Sequence, residues 1–190
     1  MRKKRISQIQ KQYRFEKETN SYLIEVSLDD YDDIYNDWDP SPFKRRFIED
    51  EFNEFILSSA DDIPSKNNMI IALYLPESKK DIEKEKAVQQ AYENYYLYAI
   101  EKEERGWANL RKKNAFYFVF SMILLWLGYF YLDTSGNIFL DVIREGTFIG
   151  GWVFLWEFIT NVFITRREFQ SGLKLYKRLY ISEIRFVYVD

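Results

Sequence analysis

The chain alternates between several hydrophobic rhythms, and each predicts a different element. SYLIEVSL (Ser21–Leu28) alternates, with Tyr22, Ile24, Val26 and Leu28 on one side, which predicts a strand. NMIIALYL (Asn68–Leu75) is continuously apolar and predicts a central strand, ended by Pro76. SEIRFVYV (Ser182–Val189) alternates again and predicts a third strand. Between the first two, Phe47–Ser59 places Phe52, Phe55, Ile56 and Ser59 at helical spacing. From Lys79 to Asn114 the pattern predicts one long helix. Its seam is Val88, Tyr92, Tyr95 and Ala99, at i, i+4, i+7 and i+11, and Gly106 is its weak point.

The rhythm then stops. AFYFVFSMILLWLGYFYL (Ala115–Leu132) contains no charged residue, and as a helix it is about 27 Å long, close to the thickness of a bilayer's hydrocarbon core. Trp126, Tyr129 and Tyr131 near one end resemble an aromatic belt. GTFIGGWVFLWEFITNVFI (Gly146–Ile164) is a second candidate span with one charge, Glu157. Asp133–Asn137 predicts the turn between them, and Ile138–Glu145 a short interfacial helix. Arg111, Lys112 and Lys113 precede the first span. Arg166 and Arg167 follow the second, whereas the connecting loop offers only Arg144. The positive-inside rule therefore places both termini in the cytoplasm. After the basic start, residues 6–20 have no apolar run, so the first span is expected to act as its own insertion signal.

Beyond the second span, Phe169, Leu173, Tyr176 and Tyr180 share one helical face and Arg167, Lys174 and Arg178 another. This predicts a basic amphipathic helix near the lipid headgroups. The last strand must then rejoin the sheet, since alone it would leave bare edges. The expected architecture is an α+β cytoplasmic domain, with a small sheet of about three strands and helices, plus a two-helix transmembrane hairpin. The long helix runs into the first span. Residues 1–20 form a basic arm, 21–114 the cytoplasmic domain with the juxtamembrane helix 79–114, and 115–164 the hairpin. Residues 165–190 complete the domain.

Composition narrows the chemistry. The 190 residues include no Cys and no His, which excludes disulfides, thiolate chemistry, Ser-His-Asp triads and imidazole-bound zinc. No phosphate-binding glycine loop, GxSxG or HExxH occurs, so no enzymatic activity and no cofactor are expected. The net charge of −3 implies no partner by itself.

Three constellations remain. Asp29, Asp30, Asp32, Asp33, Asp37 and Asp39 crowd into eleven residues, but without the glycine and glutamate of an EF-hand loop. Turns and helix caps account for them more simply than a metal. Arg2, Lys3, Lys4, Arg5, Lys11 and Arg14, with Lys44, Arg45 and Arg46, form basic clusters suited either to anionic lipid or to nucleic-acid phosphates, with Tyr13 and Phe15 as stacking platforms. In the second span Thr160, Gly146, Glu157, Gly150 and Asn161 fall within about 100° of arc. Gly146 and Gly150 make a GxxxG pair that lets helices approach. An ionisable group at mid-span faces protein or water, and one two-span subunit has too little protein to shield it. Glu157, Thr160 and Asn161 therefore either line a pore or hold helices together, and both readings require a homo-oligomer in the lipid bilayer.

The segments YDDIYNDWDPSPFKRRFIEDEFNEFILSSA, IALYLPES and REGTFIGGWVFLWEF followed by LYKRL resemble, in that order, a family of bacterial two-span membrane proteins. In that family's pattern a basic residue and a Pro follow the final Trp, where this chain has Glu157 and Phe158. The architecture is also similar to the transmembrane effectors of Hailong-type anti-phage systems. That resemblance implies a tetrameric channel of the bacterial inner membrane, a nucleotidyltransferase partner and a single-stranded DNA oligomer that holds the channel shut. The expectation is thus a gated ion channel that depolarises the membrane in antiviral defence. The alternative is a non-conducting, membrane-anchored interaction module or scaffold for a partner enzyme.

Overall fold

The computed structural model describes residues 11–39, 41–42, 47–131 and 136–190. The chain divides into two compact units, residues 1–101 with 174–190, and residues 102–173.

The first unit is built on a mixed sheet of four strands in the order β1-β2-β3-β4. The strands are β1 (Arg14–Glu16), β2 (Ser21–Ser27), β3 (Asn68–Pro76) and β4 (Glu183–Val189). The sequence predicts about three strands. The fourth, β1, comes from the stretch assigned to the basic arm, and its three residues are too few to show an alternation. A tight turn holds it against β2 in antiparallel register. Asn20 adopts a left-handed conformation (φ 52°), which asparagine tolerates better than most residues. The Thr19 hydroxyl bonds the Glu16 carboxylate at 2.7 Å. β2, β3 and β4 are parallel, with Ile24 opposite Ile71 and Leu73 opposite Phe186.

Parallel neighbours need long crossovers, and helices supply them here. α1 (Asp50–Asp62) connects β2 to β3. It buries Phe52, Ile56, Ser59 and Ala60, whereas Phe55, expected on the same face, stays outside. α2 (Ile82–Trp126) follows β3. Its first turns bury Val88, Tyr92, Tyr96 and Ile100, a strict i+4 progression. The predicted heptad seam named Tyr95 and Ala99 instead, each one residue short of the inward line.

Tyr31, Ile56, Ile71, Tyr96 and Leu179 lie at the centre of the core. The Tyr92 and Tyr96 rings are 4.6 Å apart. The Tyr96 hydroxyl donates to Asn53 Oδ1 (3.0 Å) and that of Tyr92 to the Leu179 carbonyl (3.3 Å), so neither is buried unsatisfied.

The second unit contains the apolar stretches. α2 ends at Trp126 and continues as a π-helical turn, Leu127–Tyr131. α3 (Ile138–Thr160) is capped by the Asn137 side chain, which accepts from Phe139 N at 3.0 Å. Ile138–Glu145, expected as a separate interfacial helix, forms the first turns of α3, because no Gly or Pro interrupts it before Gly146. A second π-helical segment, Asn161–Thr165, leads into α4 (Arg166–Tyr180). Within this unit Phe118 packs on Phe158 (ring centroids 5.0 Å) and Phe120 on Phe154 (4.9 Å), so α2 and α3 form a hairpin. The 43-residue helical stretch Ile138–Tyr180 and the 49-residue stretch Ile82–Phe130 are both long and apolar enough to cross a membrane.

Candidate functional site

The hairpin's contact line shows which glycines bring its helices together. A Cβ added at Gly151 would lie 2.8 Å from Leu125 Cγ and 3.2 Å from the Leu125 backbone nitrogen. One at Gly128 would lie 3.1 Å from the Phe148 ring. These two allow close approach within the chain. Of the two glycines singled out in the sequence, Gly150 meets Leu124 at 3.6 Å, and Gly146 faces open space. Gly146 therefore lies on the outer side of α3, available to another molecule.

Glu157 lies on that outer side too, exposed, with Val153 and Trp156 exposed beside it. Thr160 is half-buried at its edge. Asn161 turns the other way. It is only 7% exposed, its Oδ1 accepts from Thr165 Oγ1 at 3.3 Å, and its Nδ2 has no hydrogen-bond partner among the described residues. The helical wheel places Glu157 and Asn161 about 40° apart, yet Glu157 is exposed and Asn161 is buried. A shallow apolar groove on the α2 side, about 660 Å³, is lined by Phe118, Val119, Met122, Trp126, Tyr129 and Phe148.

Of the basic residues singled out, Arg2, Lys3, Lys4, Arg5, Lys44, Arg45 and Arg46 lie outside the described residues. Lys11 is exposed, and the 72% exposed Arg14 side chain has Glu25 at 4.0 Å. The basic face of α4 loses one member to the core. Arg178 turns inward and donates to the carbonyls of Ala60 (3.3 Å), Pro64 (3.3 Å) and Asn67 (3.4 Å). It thereby satisfies the C-terminal end of α1 and the following loop. A charge count along the sequence could not distinguish this arginine from the exposed Arg167 and Lys174.

The acidic cluster forms turns and caps. Asp33 Oδ2 accepts from Asp29 N (2.8 Å) and Asp30 N (3.0 Å), and Asp30 caps the short turn Tyr31–Ile34. Lys79, 2.6 Å away, holds the Asp30 carboxyl below its usual range. Asp39 accepts from Ser41 N and Phe47 N, both at 2.9 Å. Asp32, Asp33, Asp37 and Glu49 border a small open cavity of about 220 Å³ with Tyr35 and Trp38. Among the described residues no acidic group has the convergence of a metal site.

At the C-terminal end of the parallel strands, the Tyr31 and Tyr188 hydroxyls are 2.7 Å apart, and Tyr188 bonds Glu85. Burial, reinforced by Glu85, raises the Tyr188 phenol above its ordinary value. This network ties the short turn Tyr31–Ile34, α2 and β4 together; no motif announced it, because its members are more than 50 residues apart. Comparison of the chain with protein-family models, curated proteins and solved structures finds no match.

Proposed function

We propose that this chain is an oligomeric membrane effector, a gated ion channel of the bacterial inner membrane with both termini in the cytoplasm. The observation that carries this reading is the position of Glu157, exposed on the outer face of α3 beside Trp156, with Gly146 open on the same side. A carboxylate at that depth in a span costs several kcal/mol if it faces hydrocarbon (about 2.5–3.5 on insertion scales). Neighbouring hairpins or a water-filled path must therefore cover it. Glu157 and Thr160 border the conduction path in this account, Asn161 supports it from within the hairpin, and Gly146 and Gly150 set the spacing to the next subunit. Arg111, Lys112 and Lys113, all exposed before the first span, support the cytoplasmic placement of the sheet.

Control from the cytoplasmic side is part of the proposal, and the helix α2, which contributes residues to both compact units, supports it as the connecting element. The defence role, the DNA-oligomer ligand, the nucleotidyltransferase partner and the tetrameric state rest only on the architectural similarity to the transmembrane effectors of Hailong-type anti-phage systems. The basic arm is the proposed ligand contact. The rival reading, a non-conducting anchor, takes Glu157 as a hydrogen-bonding bridge between hairpins.

Reconstituted vesicles loaded with a potential-sensitive dye decide between them. The channel reading requires dissipation of an imposed ion gradient, with loss or altered selectivity in Glu157→Gln and Glu157→Leu. Wild-type protein that assembles in the vesicles but leaks no faster than empty ones supports the anchor and refutes the channel.

A further inference from the structure

We propose that the outer edge of β4 is a docking edge for β4 of a second copy of this chain, the two strands pairing antiparallel about a two-fold axis at Phe186. The sheet has two edges, and they differ. At one, β1 is three residues long and carries the exposed Arg14. Shortness and an outward charge are devices that keep an edge from pairing.

At the other edge, β4 runs seven residues, Glu183–Val189, without Pro or Lys, and among the described residues only β3 pairs with it. Its one cation does not guard the edge. Arg185 is drawn back across the sheet to Glu16 (Nη1 at 3.0 Å) and along the strand to Glu183 (Nε at 2.9 Å). Ile184, Phe186, Val187 and Tyr188 remain half-buried, and Ile181 (79%) and Val189 (45%) flank them exposed. An edge of this length and apolar character is a template for another strand.

The chemistry fits a copy of the same strand. β4 itself carries one Glu and one Arg, paired with each other at 2.9 Å, so the strand brings no net charge of its own to a second copy. A two-fold axis at Phe186 uses the whole strand. Ile184 then faces Tyr188 of the second copy on the core side, Arg185 faces Val187 on the other, and Glu183 faces Val189 at the ends. Such an isologous contact closes on itself and leaves no free edge. It goes beyond the channel reading, since the strands pair whether or not the hairpins conduct.

The chain has no cysteine, so crosslinking tests this cleanly. Full-length chains carrying Glu183→Cys and, on a differently tagged copy, Val189→Cys are co-expressed and oxidised in the membrane. Pairing at this register gives a disulfide dimer that carries both tags. Neither variant joins itself, because identical end residues are then about 20 Å apart. Phe186→Cys alone joins itself. All results persist in a Glu157→Leu background, which separates this interface from the pore. Absence of the mixed dimer together with a monomeric Phe186→Cys chain overturns the proposal. So does self-crosslinking of Glu183→Cys as strong as the mixed product, or an adduct whose mass is not twice that of the chain.

Discussion

Gly151→Ala tests whether the hairpin is assembled as described. Alanine favours a helix over glycine by about 1 kcal/mol, so with no neighbour the change would stabilise. At Gly151 the new methyl would lie 2.8 Å from Leu125 Cγ, 2.9 Å from Cδ2 and 3.2 Å from the Leu125 backbone nitrogen. A rotamer change in Leu125 can move Cδ2 but not its backbone, so the helices must separate. Overpacking of this kind costs about 1–3 kcal/mol. The net effect is a loss of up to about 2 kcal/mol. Gly146→Ala meets nothing within 4 Å and should gain up to about 1 kcal/mol in the isolated hairpin. The two substitutions are identical in chemistry and opposite in sign. Unfolding in mixed micelles, followed by tryptophan fluorescence, measures the difference. Trp107, Trp126, Trp152 and Trp156 all belong to the second unit, so the signal reports mainly on it. If Gly151→Ala resists unfolding as well as Gly146→Ala does, the helix rotation described here is wrong.

Other consequences follow in the two units. Gly146→Leu should leave hairpin unfolding near wild type, and under the proposed oligomer, in which that side meets a neighbouring subunit, it should shift the detergent-solubilised particle to smaller mass in light scattering. Arg178→Ala should cost the first unit about 2–3 kcal/mol by orphaning carbonyls at the end of α1, and Arg178→Lys should not restore it, as one ammonium cannot reach all three. Burial raises the Tyr92 and Tyr96 phenols above their ordinary value of 10.0, so their contribution is complete below pH 10 and declines as pH rises through the folded-state values. Alkaline unfolding monitored by circular dichroism should show that decline, and Tyr92→Phe should flatten it; a slope unchanged by the substitution would refute the assignment.

Much of the fold is written in local periodicity. β2, β3 and β4 follow from alternation or a continuous apolar run, and the two long apolar helices from the absence of charge. What the sequence conceals is direction. Tyr95 and Tyr96 are equally good seam residues until the sheet beneath α2 decides that Tyr96 points inward. Gly146, Gly150 and Gly151 are equally small, and only the position of Leu125 shows which one the hairpin uses. Arg178 resembles the other cations of α4 until the carbonyls at the end of α1 give it partners. β1 is too short for any periodic signal. For the candidate site, the wheel groups Gly146, Glu157 and Asn161 on one arc, and the structure leaves Gly146 and Glu157 exposed while burying Asn161 at the edge of that arc, which the wheel alone does not separate.

The central claim is a hairpin across lipid with the sheet on the cytoplasmic side, and cysteine accessibility in intact cells tests it most directly. In this cysteine-free chain, Asn137→Cys should react with a membrane-impermeant maleimide added outside, whereas Lys66→Cys and Lys174→Cys should react only after the inner membrane is opened. Protection of all three positions until lysis, in protein that remains in the supernatant without detergent, would contradict it.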